Sequence, residues 1–372
     1  MPRFGSSRER RFGATLTQEG PEHEQDVANE LDVAGEARLY RAMRRFWHPV
    51  MYASELTDGP RRAVLLEEPV VLVRLGGAVR CFADLCVHRG TALSLGWIEG
   101  DELRCAYHGW TYGSDGVCTR IPSRFGDNIP RRARLRPYRV AEANGLIYVC
   151  LEEPYFPLPE FPQGADPSYR IVDMATYDWD TSAARRIENY VDFAHFAWVH
   201  DGILGDREHP EVPDHEVQRA SGELRFGYDD YVEPSDIDKN EGLGPPSDGT
   251  VVTQLRYRLS IPNTVLLEQM LPGGTYVLFF SVSPIGPKRV RNFTFMARNY
   301  QLDDPEAGDG KMLEFNELVI GQDKPIVQSQ RPQELPFDLS AELHVRGVDR
   351  VSLEYRRWLV EIAREAEGVP GG

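Results

Sequence analysis

Cys86-Val-His88 and Cys105-Ala-Tyr-His108, separated by the sixteen residues 89–104, are the segments from which the fold can be predicted. Each short segment, here called a clip, offers one thiolate and one imidazole. A thiolate is a soft, charged donor that suits iron–sulfur clusters, whereas a neutral imidazole is a weaker donor with a second, titratable nitrogen. Two cysteines could therefore hold one iron of a binuclear cluster while two histidines hold the other.

A structural zinc site is the alternative explanation, because it also uses two cysteines and two histidines. Zinc sites usually pair Cys with Cys in one clip and His with His in the other, whereas the two residue types are mixed in both clips here. A glycine follows each histidine closely, at Gly90 and Gly109, where a tight loop around a cluster must bend. These features favour a Rieske [2Fe–2S] centre, whose two histidine ligands raise the reduction potential.

The composition limits the class of protein. A chain of 372 residues has room for about two domains, and a hydrophobic content of 41% supports packed cores. No run of about 18 apolar residues occurs, so no membrane span is expected. The net charge of −16 argues against a nucleic-acid partner. The basic start, residues 1–14, lacks the apolar core of a signal peptide, and the three remaining cysteines occur singly, so we expect a cytoplasmic protein.

The sequence pattern divides the chain into three parts. Residues 1–35 are polar, charged and glycine-rich, which predicts a mobile N-terminal tail. Short apolar runs between turns predict a small antiparallel β domain over residues 36–158. Residues 159–372 combine strand and helix patterns, which predicts a catalytic domain and an α+β class for the whole chain. Its expected elements are helices near 182–200, 311–329 and 349–367, polar loops over 201–248, and strands at 250–260, 264–271, 275–284 and 289–299. The Pro-rich stretch 154–167 is expected to be a linker or to pack across the domain join.

A second group of candidate ligands lies in one segment that contains Asn189, Asp192, His195 and His200. The first three are spaced by three residues and would share one helix face. His200 is five positions past His195, about 140° away on an ideal helix, so the helix must bulge or end between them. Two histidines and one carboxylate form the facial triad of oxygen-activating Fe(II). Two hydrogen-bonded, half-buried histidines are the alternative.

The missing carboxylate is expected on a later helix. Met312, Phe315, Val319, Asp323 and Ile326 step by 3, 4, 4 and 3 residues, which is one helical stripe. Asp323 is the one charge on this apolar face, and a buried carboxylate is costly unless it is paired or bound to metal. A surface aspartate paired with a lysine or arginine is the alternative for this position.

Together the two ligand groups resemble those of the Rieske non-heme iron oxygenases, in the line of single-component α₃ enzymes such as dicamba or vanillate demethylase. The resemblance rests on the two clips, on the Asn-x-x-Asp-x-x-His-x₄-His spacing and on the segment around Asp323. It implies a helix-grip catalytic domain. The implied cluster ligands are Cys86, His88, Cys105 and His108, and the implied iron ligands are His195, His200 and Asp323. Respiratory Rieske proteins add a disulfide between the clips, and Thr91 and Ala106 stand at those positions here.

The resemblance also implies a homotrimer in which the cluster of one subunit lies beside the mononuclear iron of the next. In such a ring, Asp192 would join His108 of one chain to His195 of the next. Asp192 could instead only orient His195 within its own chain. Asn189 is a candidate catalytic residue that faces the iron, or a cap for a buried backbone group.

The implied activity is that of a terminal oxygenase. Electrons from NAD(P)H would arrive through a separate ferredoxin or ferredoxin reductase, because no dinucleotide-binding glycine motif follows a predicted strand. They would pass through the cluster to Fe(II), which activates O₂. We expect hydroxylation or demethylation of a hydrophobic small molecule, aromatic or polycyclic, in a pocket around Phe193, Phe196, Val199 and the strands at 251–299. A ring cis-dihydroxylating dioxygenase, a Rieske electron carrier without oxygen chemistry and a zinc-stabilised binding module are the alternatives.

The segment from Arg120 to Arg139 reverses the sign of this acidic chain. It contains a single acid, Asp127, and seven arginines: 120, 124, 131, 132, 134, 136 and 139. A local basic surface next to the cluster domain would attract an acidic ferredoxin or reductase domain. A solvated face or a subunit contact would have the same composition, so both explanations stay open.

Overall fold

The computed structural model describes residues 35–123, 128–232, 251–303, 305–336 and 338–366. The predicted mobile tail over 1–35 thus lies outside the described residues, except for Gly35, which lies in helix α1 (residues 35–42). Within the described ranges, every helix is too short or too polar to span a membrane.

The N-terminal part of the described chain contains ten strands in two antiparallel sheets. In chain order they are β1 (His48–Tyr52), β2 (Arg61–Leu65), β3 (Glu68–Leu75), β4 (Ala78–Ala83), β5 (Trp97–Glu99), β6 (Glu102–Arg104), β7 (Thr111–Tyr112), β8 (Cys118–Arg120), β9 (Pro137–Ala143) and β10 (Leu146–Cys150). The larger sheet has the order β1-β10-β9-β4-β3-β2, and the smaller sheet has the order β5-β6-β7-β8. Single 3₁₀ turns lie at Met43–Arg45, Ala53–Glu55 and Leu93–Leu95. The predicted antiparallel β domain is confirmed.

Strand β3 illustrates why this part forms a sheet. Its apolar run Val70–Val73 is completely buried, because alternate residues pack into the main core and into a second core that contains Cys86 and Cys105. Gly76 and Gly77 then turn the chain into β4 with φ angles of +60° and +74°, a region that glycine enters without steric cost. The sheet and the two clips therefore share one packed interior.

The C-terminal part is an antiparallel sheet with helices packed against it. Its strands are β11 (Arg170–Asp173), β12 (Tyr177–Trp179), β13 (Glu216–Ala220), β14 (Glu223–Val232), β15 (Val251–Ser260), β16 (Thr264–Leu271), β17 (Gly274–Gly286) and β18 (Arg289–Arg298). The order is β11-β18-β17-β16-β15-β14-β13, and β12 also pairs with β18. The helices are α2 (Ala183–Val191), α3 (Phe196–Val199), α4 (Pro305–Ser329) and α5 (Arg350–Glu365). Helix α2 contacts β16, β17, α4 and α5. The predicted α+β class is confirmed.

The predicted helix over 182–200 is wrong in one respect, because it is two helices. Helix α2 starts at the N-cap Ser182, whose hydroxyl accepts a hydrogen bond from the backbone of Arg185 at 3.2 Å. It ends at Asp192, where the backbone becomes extended with φ −87° and ψ 120°. Asp192 and His195 therefore do not share a helix face with Asn189. The expected helix end between His195 and His200 is confirmed, because α3 ends at Val199, and the break at Asp192 is an additional one that the spacing did not predict.

The strands predicted within 250–299 are confirmed as β15 to β18, with ends within two residues of the expected positions. The expectation of loops throughout 201–248 is wrong in part, because β13 and β14 form a hairpin there. Strand β13 has mostly exposed side chains, so it lacks the apolar alternation that identifies a strand in a sequence.

Helix α4 contains the predicted stripe, but its buried face changes near its end. Met312 and Asp323 are buried as expected, whereas Ile326 is 51% exposed and Val327 is buried in its place. Pro325 lies inside the helix, two residues after Asp323 and directly before Ile326. A proline interrupts the backbone hydrogen-bond ladder, so the stripe does not continue in register beyond it.

The two parts meet over a shared core. Tyr52 in β1 donates a hydrogen bond from its hydroxyl to the carbonyl of Met174 at 2.7 Å and accepts one from the backbone of Thr294 at 3.2 Å. The Pro-rich stretch packs across this join, because Phe161 is buried and stacks on Phe279 with ring centroids 4.7 Å apart. The second of the two predictions for 154–167 is the one observed.

Candidate active site

The two clips have the same backbone geometry. In the first clip, the amide of Cys86 donates to the carbonyl of Thr91 and that of Gly90 donates to the carbonyl of Cys86, both at 2.8 Å. In the second clip, Cys105 bonds to Trp110 at 2.9 Å and Gly109 bonds to Cys105 at 3.0 Å in the same pattern. Gly90 and Gly109 have φ angles of +70° and +67°, which explains why glycine follows each histidine.

These loops bring the four predicted cluster ligands together, and we call them the cluster site. The thiols of Cys86 and Cys105 are both buried in the second core. The Nδ1 atoms of His88 and His108 face each other at 3.1 Å on the half-buried side. Buried sulfur and more exposed imidazole fit an inner iron held by thiolates and an outer iron held by histidines.

Two aromatic residues of the second clip region support the cluster site. Trp110 stacks on the ring of His88 with centroids 4.7 Å apart and an angle of 8° between the planes. The hydroxyl of Tyr112, which is fully buried, lies 3.1 Å from Sγ of Cys86. Sequence reasoning did not identify Tyr112 as part of the site, although it stands only four residues after His108.

The remaining cysteines do not take part. Cys81, Cys118 and Cys150 are buried single thiols, and all five cysteines are free of disulfide bonds. Burial raises the pKa of Cys150 to about 11, so this thiol stays protonated and unreactive near neutral pH.

The second group of candidate ligands is assembled by the break between α2 and α3. Asp192 ends α2, and its Oδ1 accepts a hydrogen bond from the backbone of Ala194 at 2.8 Å, a local turn that redirects the chain. His195 is the N-cap of α3 and His200 is its C-cap. A single helical turn between the two histidines thus lets both imidazoles reach one point.

His195, His200 and Asp323 form what we call the triad. Their donor atoms lie within 4.8 Å of one another. Oδ1 of Asp323 is 3.1 Å from Nε2 of His200 and 3.5 Å from Nε2 of His195. Nε2 of His200 is buried but makes no hydrogen bond within the described chain. This is expected if the imidazole of His200 and the carboxylate of Asp323 are both directed at a third atom. Two imidazoles and one carboxylate fit an Fe(II) site with open positions.

The outer nitrogens of the two histidines have different partners. Nδ1 of His200 lies 2.8 Å from Oε1 of Gln322, which fixes the tautomer that leaves Nε2 free as a ligand. Nδ1 of His195 is 3.6 Å from Oδ2 of Asp192, too far for a hydrogen bond. The side chain of Asp192 is 35% exposed, so it is partly accessible to solvent beside His195.

The charges of the triad are strongly coupled. Burial favours the neutral form of Asp323, but His200, Arg186 and His195 outweigh it and lower the pKa of the carboxyl. Burial likewise favours neutral His200, but Asp323 and Gln322 outweigh it and raise the pKa of the imidazole. The site thus holds an ionised carboxylate, which a divalent cation would neutralise in place of a proton.

Within the described ranges, the carboxamide of Asn189 bonds to two side chains and caps no backbone group. Its Nδ2 donates to Oδ1 of Asp323 at 3.3 Å, and its Oδ1 accepts from Nη1 of Arg186 at 2.5 Å. Arg186 is fully buried and was missed by sequence reasoning. Its spacing of three residues before Asn189 on a helix was the signal that could have identified it.

A cavity of about 530 Å³ opens beside the triad. Phe193 and Phe196 line it, as predicted, together with residues of β15, β16, β17, α4 and the loop 201–213. Val199 and β18 are not among the lining residues. The predictions that they line the pocket are wrong. The apolar pattern of these strands could not show which of them curve around the helices, because that depends on the twist of the sheet.

The cavity wall is more polar than the sequence suggested. Thr253, Gln269 and Asn316 line it beside aromatic residues. The hydroxyl of Thr253 is buried without a partner in the described chain, and the amide of Asn316 donates to the hydroxyl of Tyr276 at 3.1 Å. Aromatic faces with a few polar groups suit a flat, partly polar ligand.

Comparison with protein families assigns both parts of the chain. Residues 46–130 match the Rieske [2Fe-2S] domain. Residues 179–365 match the vanillate O-demethylase oxygenase C-terminal domain.

Two curated relatives from Pseudomonas putida match almost the whole chain. The methylxanthine N1-demethylase NdmA is 36% identical over 343 residues, which are 90% of this chain and 92% of that protein. The methylxanthine N3-demethylase NdmB is 31% identical over 87% of this chain and 90% of that protein.

Solved structures give the same result. The structure of P. putida CBB5 NdmA with caffeine superposes with a TM-score of 0.74 at 32% identity, covering 88% of this chain and 96% of that one. Dicamba monooxygenase bound to dicamba has a TM-score of 0.73 at 20% identity, over 88% and 99% of the two chains, and this likeness concerns the fold.

Proposed function

Because the chain belongs to the catalytic subunits of the Rieske non-heme iron oxygenases, we propose that it is a terminal oxygenase that removes an N-methyl group from a flat heteroaromatic compound. The observation that carries this proposal is the match to a methylxanthine N1-demethylase over 90% of the chain. Members of this family use a Rieske [2Fe–2S] cluster, mononuclear iron and O₂, and NAD(P)H is supplied through a separate reductase.

The proposed reaction balances with one O₂ and one NAD(P)H. The N–CH₃ group, O₂, two electrons and two protons give N–H, formaldehyde and water, with one oxygen atom in each of the last two products. The bound iron supplies the activation of O₂. The protein must then hold the methyl group beside the triad and keep bulk water away.

We propose the following division of the ligands. Cys86 and Cys105 hold one iron of the cluster and His88 and His108 hold the other. His195, His200 and Asp323 hold the mononuclear iron. The orientation of the atoms in the cluster site and the triad supports this division. The corresponding domain limits are a tail over 1–35, a Rieske domain over 36–158 and a catalytic domain over 159–372.

The residues around the cavity would bind and orient the substrate. Phe193 and Tyr257, which pack on each other with ring centroids 5.3 Å apart, give the cavity an aromatic wall for a planar ring. Thr253 and Gln269 offer hydrogen bonds to a ring carbonyl or ring nitrogen. A buried polar group without a partner disfavours a purely hydrocarbon substrate, which supports a heteroaromatic compound over a polycyclic hydrocarbon.

We further propose a cytoplasmic homotrimer in which electrons cross between subunits. Asp192 would connect the exposed edge of the triad in one chain to His108 of a neighbour. The partial exposure of the Asp192 carboxylate beside His195 supports this role. An Asp192 that only orients His195 within its own chain is the competing explanation, and the 3.6 Å separation makes that contact weak.

The electron donor is proposed to dock on the basic segment between Arg120 and Arg139. Arg124 and Asp127 lie outside the described residues. The exposed arginines in the described part are 120, 131, 132, 134, 136 and 139. Arg139 pairs with Glu153. The segment that contains Arg131 to Arg136 lies along β8, where the amide of Cys118 donates to the carbonyl of Ala133 at 2.9 Å. Long-range attraction would steer an acidic partner to this face.

Charge reversal tests this docking surface. Arg131→Glu with Arg132→Glu should raise the KM for an acidic ferredoxin or reductase and leave peroxide-driven product formation unchanged. Arg225→Glu on β14 is the control for each single reversal, because it makes the same charge change at one exposed arginine outside the segment. An equal KM for the ferredoxin or reductase in the double variant and the control would contradict the proposed docking surface.

The proposed activity is tested with purified protein, a surrogate reductase and NAD(P)H. The substrates are a panel of N-methylated and O-methylated aromatic compounds. We expect formaldehyde equal to the demethylated product for an N-methyl heteroaromatic. His195→Ala should abolish this product and leave the visible spectrum of the cluster intact. A product that gains two oxygen atoms would instead indicate ring dihydroxylation, and electron uptake without any product would indicate an electron carrier.

A further inference from the structure

The guanidinium of Arg186 is a fully buried cation beside the triad. Arg186 lies on α2, one turn before Asn189. Its Nε and Nη2 atoms are buried without a hydrogen-bond partner in the described chain. Burying a charge is expensive unless specific contacts compensate. Such a residue therefore requires an explanation in terms of what it contacts.

Three aromatic faces provide part of the compensation. The guanidinium carbon lies 4.1 Å from the ring centroid of Trp179, 4.6 Å from that of Tyr190 and 4.7 Å from that of Phe280. Cation–π contacts of this kind are worth more when they are desolvated. The rings also fix the plane and the position of the guanidinium, so its one hydrogen-bonding edge points in a single direction.

That direction is toward the triad through Asn189. Nη1 of Arg186 donates to Oδ1 of Asn189 at 2.5 Å, and Nδ2 of Asn189 donates to Oδ1 of Asp323 at 3.3 Å. A carboxamide has one accepting end and one donating end. Because Arg186 can only donate, it holds the oxygen of Asn189 and forces the NH₂ group toward the carboxylate.

The oxygen that Asn189 restrains is the one that faces the imidazoles. Oδ1 of Asp323 lies 3.5 Å from Nε2 of His195 and 3.1 Å from Nε2 of His200. Without the arginine, the carboxamide of Asn189 could flip and present its own oxygen to Asp323, which would repel the carboxylate.

We propose that Arg186 is a positioning residue for the iron ligand Asp323, which it holds by fixing the orientation of Asn189. This inference rests on the proposed use of the triad as an iron site. Its effect should be on the geometry and affinity of the metal site, because outer-sphere partners of metal ligands contribute strongly to both.

The experiment uses full-length protein with an intact cluster, depleted of mononuclear iron and titrated anaerobically with Co(II). The binding constant and the Co(II) absorption bands report affinity and ligand geometry independently of turnover. We expect Arg186→Met and Asn189→Ala each to weaken Co(II) binding roughly 10–100-fold and to shift the Co(II) bands. Arg186→Lys should lie between Met and wild type, since it keeps the charge but lacks the planar donor.

The double variant tests the route. If Arg186 acts through Asn189, combining Arg186→Met with Asn189→Ala should weaken binding no more than either change alone. Additive losses would show that Arg186 acts directly by its charge, which overturns the positioning role through Asn189.

Arg185→Met is the matched control for destabilisation. Arg185 is the neighbouring arginine on α2, is also buried, and pairs with Glu188 at 3.3 Å and with Glu342 at 2.5 Å. Its loss should lower the melting temperature and leave the Co(II) bands unchanged. Unchanged Co(II) binding and bands in Arg186→Met would refute the inference. A wild-type protein that binds no divalent metal at the triad would instead refute the proposed function.

Discussion

At the scale of single residues, Tyr112 decides how the cluster site is tuned. The hydroxyl of Tyr112 lies 3.1 Å from Sγ of Cys86, inside a fully buried environment. A hydrogen bond to a ligand sulfur stabilises the reduced, more negative cluster and so raises its reduction potential.

Removal of this hydroxyl should lower the potential. One hydrogen bond worth about 0.5–1.5 kcal/mol corresponds to roughly 20–60 mV for a one-electron couple. We therefore expect Tyr112→Phe to lower the midpoint potential of the cluster by that amount, measured by protein-film voltammetry. Tyr107→Phe is the control, because the side chain of Tyr107 is 60% exposed and packs on His108. An unchanged or higher potential in Tyr112→Phe would contradict the assignment.

At the scale of elements, the short helix α3 and the loop after it form one wall of the cavity. Gly205 is packed so closely against α3 that a Cβ there would lie 2.6 Å from the backbone nitrogen of Ala197. The contact is with backbone, which cannot move aside as a flexible side chain could. The loop can therefore keep its place only with glycine at this position.

Gly205→Ala should push the loop away from α3 and open the cavity wall. We expect a higher KM for the substrate and a loss of stability of about 1–3 kcal/mol, as for other overpacked sites. Gly310→Ala is the control, because a Cβ at Gly310 in α4 meets nothing within 4 Å and alanine favours the helix. Thermal unfolding and steady-state kinetics of both variants give the comparison, and equal KM values would argue against the close approach.

At the scale of the whole molecule, the proposed trimer separates the electron donor and acceptor onto different chains. A closed head-to-tail ring has one such junction for each subunit. Two variants that are inactive alone should then complement each other, because the intact cluster of one chain would face the intact triad of another.

Co-production of Cys105→Ser and Asp323→Asn chains tests this arrangement. Random mixing in a ring with directional contacts should restore about a quarter of the wild-type activity, because one junction in four joins an intact cluster to an intact triad. Iron analysis of each variant alone verifies that it keeps its other metal site. Mixed trimers without activity would mean that electrons stay within one chain.

The sequence by itself determined the chemistry of the two sites. The clips are local, so the order of cysteine, histidine and glycine in each one is enough to predict a cluster loop. The same holds for His195 and His200, which one turn of helix separates. Asp323 lies far away in sequence, but the cost of a lone carboxylate on an apolar helix face identified it as the partner, and the structure places it beside both histidines.

Only the tertiary structure decided the contacts that depend on how distant elements meet. The break at Asp192 replaces the continuous helix from Asn189 to His195 that the spacing favoured. The mostly exposed strand β13 has no apolar alternation and is recognised only by its pairing with β14. The burial of Arg186 could not be predicted from the sequence, because it comes from Trp179 and Phe280 on strands that precede and follow its helix. Local pattern fixes which donor atoms are available, whereas packing through space fixes where they point.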